Sequence, residues 1–180
     1  MATAVAVPVV VVLLVLIRLF GPGSGDDGSG DGPVADVSGA TPSQRDDSPV
    51  EVETPEITPE ADAACPALMS QLPLEVVGET SRRVDSDSPY VYAWGDPASV
   101  LVCGADAPAG FVVGGPQLIE INGVQWFVDT TDPTVNVFTG VDRTVPVQIS
   151  VPSSTDAALV TALSPTIAAT IPFTEPQPAG

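Results

Sequence analysis

Leu118-Ile119-Glu120-Ile121-Asn122-Gly123-Val124-Gln125-Trp126-Phe127-Val128 places Asn-Gly between two apolar-rich runs. A two-residue connection between antiparallel strands needs positive φ at both central positions, and Asn-Gly meets that need at little steric cost. The stretch therefore reads as a β-hairpin with a type I′ turn. In that register Ile121 opposes Val124 and Ile119 opposes Trp126 on one face, while Glu120 opposes Gln125 on the more polar face. One face this apolar must be buried, so the hairpin implies a layered domain.

Further strands are predicted on both sides of it. Tyr90, Tyr92 and Trp94 alternate with Val91 and Ala93 and stop at Gly95-Asp96-Pro97. Ser99 to Cys103, Thr134 to Thr139 and Thr144 to Val151 are rich in β-branched residues and read the same way. Two helices frame the strands. From Ala61 to Leu72, the side chains of Cys65, Leu68, Met69 and Leu72 share one face, and Pro73 stops the run. The second starts near Thr155, capped by Ser153 or Ser154, with Asp156 in its first turn and Leu159, Ala162 and Leu163 as its stripe. Ser164-Pro165 is expected to end or kink it, with a short turn restarting at Pro165. The fold class is α+β: a small antiparallel sheet with an N-terminal and a C-terminal helix on one face.

That domain is expected over residues 63–174, with a disordered tail over 175–180. Residues 21–62 precede it and hold seven glycines, six prolines and eleven acids against Arg45 alone. So little apolar surface cannot repay the entropy of ordering, and a disordered, extended acidic linker is expected. Asp26-Asp27-Gly28-Ser29-Gly30-Asp31-Gly32 lacks the flanking helices and closing glutamate of a calcium loop and reads as linker.

Residues 1–20 form the third region. From Ala2 to Phe20 only Thr3 and Arg18 break an apolar run, which as a helix spans roughly 28 Å, close to a hydrocarbon core. A retained transmembrane anchor is the preferred reading; a cleaved secretory signal is the alternative, and both export the remainder. Arg18 favours a cytoplasmic C-terminal side by the positive-inside rule. Asp26, Asp27 and Asp31, together with the paired cysteines, favour the opposite, and the domain is expected outside.

Cys65 and Cys103 are the only cysteines. In an exported chain they are expected to pair, pinning the first helix to the sheet. Lipidation of Cys65 is disfavoured by the long linker before it, and a catalytic thiol by the absence of any histidine.

The chain has neither histidine nor lysine, which excludes Ser-His-Asp, Cys-His and Ser-Lys catalysis, Schiff bases, P-loop phosphate binding and Cys/His zinc sites. No metal site or cofactor is expected. A formal charge of −18 excludes a nucleic-acid footprint. Carboxylate chemistry remains open to Asp85, Asp87, Asp96, Glu120, Asp129 and Asp132, although acids on such a surface ordinarily serve solvation.

Arg82, Arg83 and Arg143 are scarce enough to be candidate binding residues; converging, they would grip a carboxylate or phosphate, and otherwise they pair with local acids such as Glu79, Asp85 or Asp142. Tyr90, Tyr92, Trp94, Trp126 and Phe127 are the aromatic candidates, Trp94 and Trp126 foremost, with core packing as the preferred competing role.

Cys65-Pro66-Ala67-Leu68, Ala93-Trp94-Gly95-Asp96-Pro97 running on to Leu101-Val102-Cys103-Gly104, Asn122-Gly123-Val124-Gln125-Trp126 and Val141-Asp142-Arg143-Thr144-Val145 together carry a resemblance. The chain resembles an actinobacterial family known as domain of unknown function 3515, over about Cys65 to Ile171. The resemblance implies an envelope-facing membrane protein, assigns no activity and transfers no catalytic residue. The expected function is a non-enzymatic binding or accessory module held on the membrane by its N-terminal helix, with an envelope protein or cell-wall component as partner. The alternative is a carboxylate-dependent hydrolase of glycan or another wall polymer, needing two acids roughly 5–9.5 Å apart across a cleft.

Overall fold

The computed structural model describes residues 48–177. The expected anchor, 1–20, lies outside the described residues, as do linker positions 21–47 and tail positions 178–180. Among the described residues no helix is long and apolar enough to cross a membrane.

In chain order the elements are β1 (Val50–Glu51), α1 (Pro59–Met69), β2 (Glu75–Val76), β3 (Glu79–Arg82), β4 (Val84–Asp85), β5 (Val91–Trp94), β6 (Ser99–Cys103), β7 (Leu118–Ile121), β8 (Val124–Asp129), β9 (Val135–Gly140), β10 (Val147–Pro152) and α2 (Ala158–Thr170). Eight strands form one antiparallel sheet in the order β2-β3-β5-β6-β10-β9-β8-β7. After the β5–β6 hairpin the chain leaves for the far edge, then meanders back through β7, β8 and β9 until β10 docks beside β6.

The β7–β8 register is the expected one: Ile121 opposes Val124, Ile119 opposes Trp126 and Glu120 opposes Gln125. Asn122 and Gly123 have φ of 49° and 83°, as a type I′ turn requires. Period-two alternation then carries the apolar face across the sheet. Cross-strand partners align Tyr92, Leu101, Ile149, Phe138 and Val128 in one row, and Cys103, Val147, Gly140, Trp126 and Ile119 in the next. Gly140 belongs in that row because a side chain there would sit 3.2 Å from Val124 and 3.8 Å from the Trp126 ring.

Both helices cover this face, and Cys65 and Leu68 of α1 share one buried cluster with Leu159, Val160, Leu163 and Ile167 of α2. The Cys65–Cys103 disulfide ties α1 to the end of β6. The opposite face is covered differently. β1 pairs with β4 in a two-stranded parallel ladder, and Val52 and Val84 pack on buried Val91, Val102 and Ala105. Phe111, from the loop after β6, meets Phe127 edge to face at 5.9 Å.

Four boundaries differ from the sequence reading. Residues 48–62, expected within the linker, contain β1 and the first turn of α1, because Val52 contributes to the second core and Thr58 caps the helix by accepting from Ala61 N at 3.1 Å. Pro59 then suits the first turn, and α1 ends at Met69 rather than Leu72. β10 starts at Val147 rather than Thr144, since Arg143 bridges Phe173 and Thr144 N donates to Pro172 O at 2.9 Å.

The fourth is α2, which starts at Ala158 and runs through Pro165 to Thr170. Pro165 has no N–H for the Thr161 carbonyl four residues earlier. Asn122 Nδ2 donates to that carbonyl instead, at 2.9 Å, so the helix continues.

Candidate functional site

Three turns of chain meet beside Trp94. The β2–β3 turn supplies Val76, Val77 and Glu79, the β5–β6 turn supplies Asp96, Pro97 and Ser99, and the start of α2 supplies Thr155, Asp156, Ala158 and Leu159. Between them is a cavity of about 270 Å³. Trp94 forms its floor, fully buried and anchored by Nε1 donating to Pro73 O at 2.9 Å.

The rim is held by local chemistry. Val77 and Gly78 form the β2–β3 turn with φ of 53° and 80°. Positive φ is an outlier for a β-branched residue and costs on the order of 1–2 kcal/mol. Val77 is nonetheless 57% exposed.

Charge around the cavity is one-sided: Glu79, Asp96 and Asp156 line it, and among the described residues no basic side chain does. Arg82 lies behind Asp96 at 3.7 Å. Asp156 Oδ1 accepts Ala158 N at 3.0 Å, which occupies it with the first turn of α2. Glu79 makes no hydrogen bond or ion pair among the described residues, and its carboxylate leans toward Gly95.

The residues singled out from sequence do not converge. Arg82 donates to Gly95 O at 3.3 Å and Ser48 O at 2.8 Å, fastening the start of the described chain to the β5–β6 turn. Arg83 is exposed next to it and carries its own contact. Arg143 is 6% exposed and grips Asp142 with Nε at 3.2 Å and Nη2 at 3.1 Å. It also donates to Ile171 O and Gly123 O, and Phe173 covers its guanidinium at 5.8 Å. Arg143 thus locks the C-terminal segment onto the hairpin turn and shares no partner with Arg82. Trp126 is fully buried, donating to Ser164 Oγ at 3.1 Å, while that hydroxyl donates to Val160 O at 2.7 Å. Of the aromatic candidates Trp94 lines this cavity, and Tyr92 lines a separate hollow with Arg82.

The candidate acids scatter as well. Asp85 and Asp87 line a shallow acidic hollow with Glu51 and Glu53, and Glu120 faces outward on the edge strand. Asp129 accepts Thr131 N at 2.9 Å, and this bond holds its carboxyl below the usual range. Asp132 is lowered likewise, by the Thr134 hydroxyl at 2.7 Å and the Thr134 N–H at 2.8 Å. Both are turn-forming acids. Among the described residues no group of acids and cysteines is placed to hold a metal ion.

Asp96 belongs to the acids that the sequence leaves open to carboxylate chemistry, and Glu79 figures there only as a partner for the arginines. Val77 and Ser99 carry no functional signal in the sequence. Gly78 after Leu74-Glu75-Val76-Val77 is the one hint of a tight turn there, and valine before it argues against one.

These features define an α+β domain with a single disulfide, a two-helix cover and an acid-rimmed cavity at one end of its sheet. The chain belongs to the family described as protein of unknown function (DUF3515), whose model matches residues 3–176. No curated protein and no solved structure matches the chain.

Proposed function

We propose that this chain is a membrane-anchored, extracytoplasmic, non-enzymatic binding module of the cell envelope, consistent with its resemblance to an envelope-facing actinobacterial family. The observation that carries the location is the Cys65–Cys103 disulfide, whose cysteines are 0% and 2% exposed. A bond built into the core is part of the folded state, and such bonds persist in oxidising compartments. The apolar run from Ala4 to Ile17 supplies the anchor on this reading. The cavity beside Trp94 is the binding site it would present.

Three acids around one cavity also favour a carboxylate-dependent hydrolase. Two of them are already occupied, Asp96 beside Arg82 and Asp156 with the helix start, which leaves Glu79 without a partner acid of independent role. Binding is therefore the reading adopted.

Thiol alkylation of cells and isolated membranes quenched in acid and unfolded in denaturant, before and after reduction, tests the location. Labelling of Cys65 and Cys103 only after reduction supports it. Free labelling in unreduced membranes overturns it and places the domain in a reducing compartment.

A further inference from the structure

We propose that the cavity beside Trp94 is a recognition site for an organic cation on an aliphatic stem: a primary ammonium or guanidinium, as presented by a basic side chain or a small amine. The inference rests on the binding-module reading and names the ligand class of that site.

Four observations converge. The first is space: about 270 Å³ accommodates a short alkyl chain, and Val76, Val77, Pro97 and Leu159 give it apolar walls. The second is charge. Glu79, Asp96 and Asp156 contribute three negative charges, against which stand Arg82 and about half a positive charge from the start of α2, leaving an excess of about one and a half. Anions are thereby disfavoured, and Glu79, whose carboxylate has no ion-pair partner among the described residues, is the acid left to face a cation.

The third observation is Ser99. It is only 7% exposed and lines the cavity, yet its hydroxyl has no hydrogen-bond partner among the described residues. No sealed side-chain polar atom there lacks a partner, so the Ser99 hydroxyl opens into the cavity. A hydroxyl that opens into the cavity from a nearly buried residue, without a protein partner, is a polar handle for a donor. The fourth is the Val77 turn, at φ 53°, whose side chain lines the cavity while remaining largely exposed. It gives the rim an apolar edge over which the ligand's stem can lie.

The full-length chain in dodecyl-maltoside micelles is titrated with n-butylammonium and with butyramide, its neutral counterpart of similar size, following the indole N–H resonances of Trp94 and Trp126. A saturable shift of Trp94 with butylammonium alone is expected, with Trp126 unmoved. Glu79→Gln should weaken binding roughly three- to tenfold, and Ser99→Ala by a smaller factor. An unchanged Trp126 resonance reports that each variant is folded. Acetyl-Ala-Lys-Ala-amide distinguishes the source: tighter binding than butylammonium identifies a basic peptide, and weaker binding a free amine. Equal shifts from butyramide, no saturation, or unchanged affinity in both folded variants would overturn the proposal. Alkylation decides location separately, so cytoplasmic cysteines with intact amine binding would remove the envelope assignment and leave the site.

Discussion

Asn122 at the tip of the β7–β8 hairpin donates its side-chain amide to the Thr161 carbonyl of α2 at 2.9 Å, the carbonyl that Pro165 leaves without a helical partner. The turn residue thus has two roles. Its φ of 49° closes the hairpin, and its amide repairs a helix far along the chain. Without that repair a proline at this position would break the ladder.

The repair is testable as a coupling. Asn122→Gly keeps the turn's positive φ and removes only the amide. It should cost about 1 kcal/mol, the usual net worth of one hydrogen bond. Pro165→Ala restores the intrahelical donor to Thr161, so in that background Asn122→Gly should cost only a few tenths of a kcal/mol. Urea unfolding of the four proteins gives the cycle, and simple additivity would show that the two residues act independently.

Reading this fold from sequence succeeded where short-range rules decide the outcome. The register of residues 118–128 follows from Asn-Gly and alternation alone, and two cysteines leave one way to pair. It failed where a distant residue supplies what the local sequence lacks. Pro165 looks like a helix end until Asn122 is placed beside Thr161. β1 and β4, two residues each, are too short to show a period, and β1 is stabilised by Val52 lying on a second core. The site was less legible still. Arg143 reads as a turn cation yet is buried on Asp142, and Ser99 reads as an ordinary strand residue until its unpartnered hydroxyl is seen.

Replacing Cys65 and Cys103 together by alanine removes a cross-link closing a sequence separation of 38 residues. The chain-entropy relation assigns such a loop roughly 4 kcal/mol. That is a large share of the net stability of a domain this size. The double variant should unfold at markedly lower urea, with its slope raised as the unfolded chain expands. A midpoint within experimental scatter of the parent would mean that packing of α1 on β6 suffices unaided.

Arg143→Met should be more damaging than its place in a turn suggests. The substitution leaves Asp142, 3% exposed, without its bidentate partner and releases Ile171 O and Gly123 O together. Breaking one side of a buried pair typically costs about 3–5 kcal/mol. Arg143→Lys should recover only part, since one ammonium cannot span the guanidinium's several acceptors. Thermal unfolding ranks the three proteins, and parity between Lys and Arg would contradict the fork geometry.

The acidic and alkaline limbs of stability should have separate origins. Asp129 and Asp132 are held below their ordinary value of 3.8 by hydrogen bonds from Thr131 and Thr134. A depressed carboxyl contributes stability that is complete above 3.8 and is lost as pH falls through the lower folded value. Tyr90 is displaced the other way, above 10.0, because its hydroxyl donates to Asp62 Oδ1 at 2.7 Å. Its contribution is complete below 10.0 and fades as pH rises through the raised value. Asp129→Asn with Asp132→Asn keeps acceptors for both turns while removing the titration, so the acid limb should flatten. Tyr90→Phe should flatten the alkaline limb and leave the acid one unchanged. Urea midpoints measured across the pH range would read both, and a double Asn variant with the parent's acid slope would place that titration on other carboxylates.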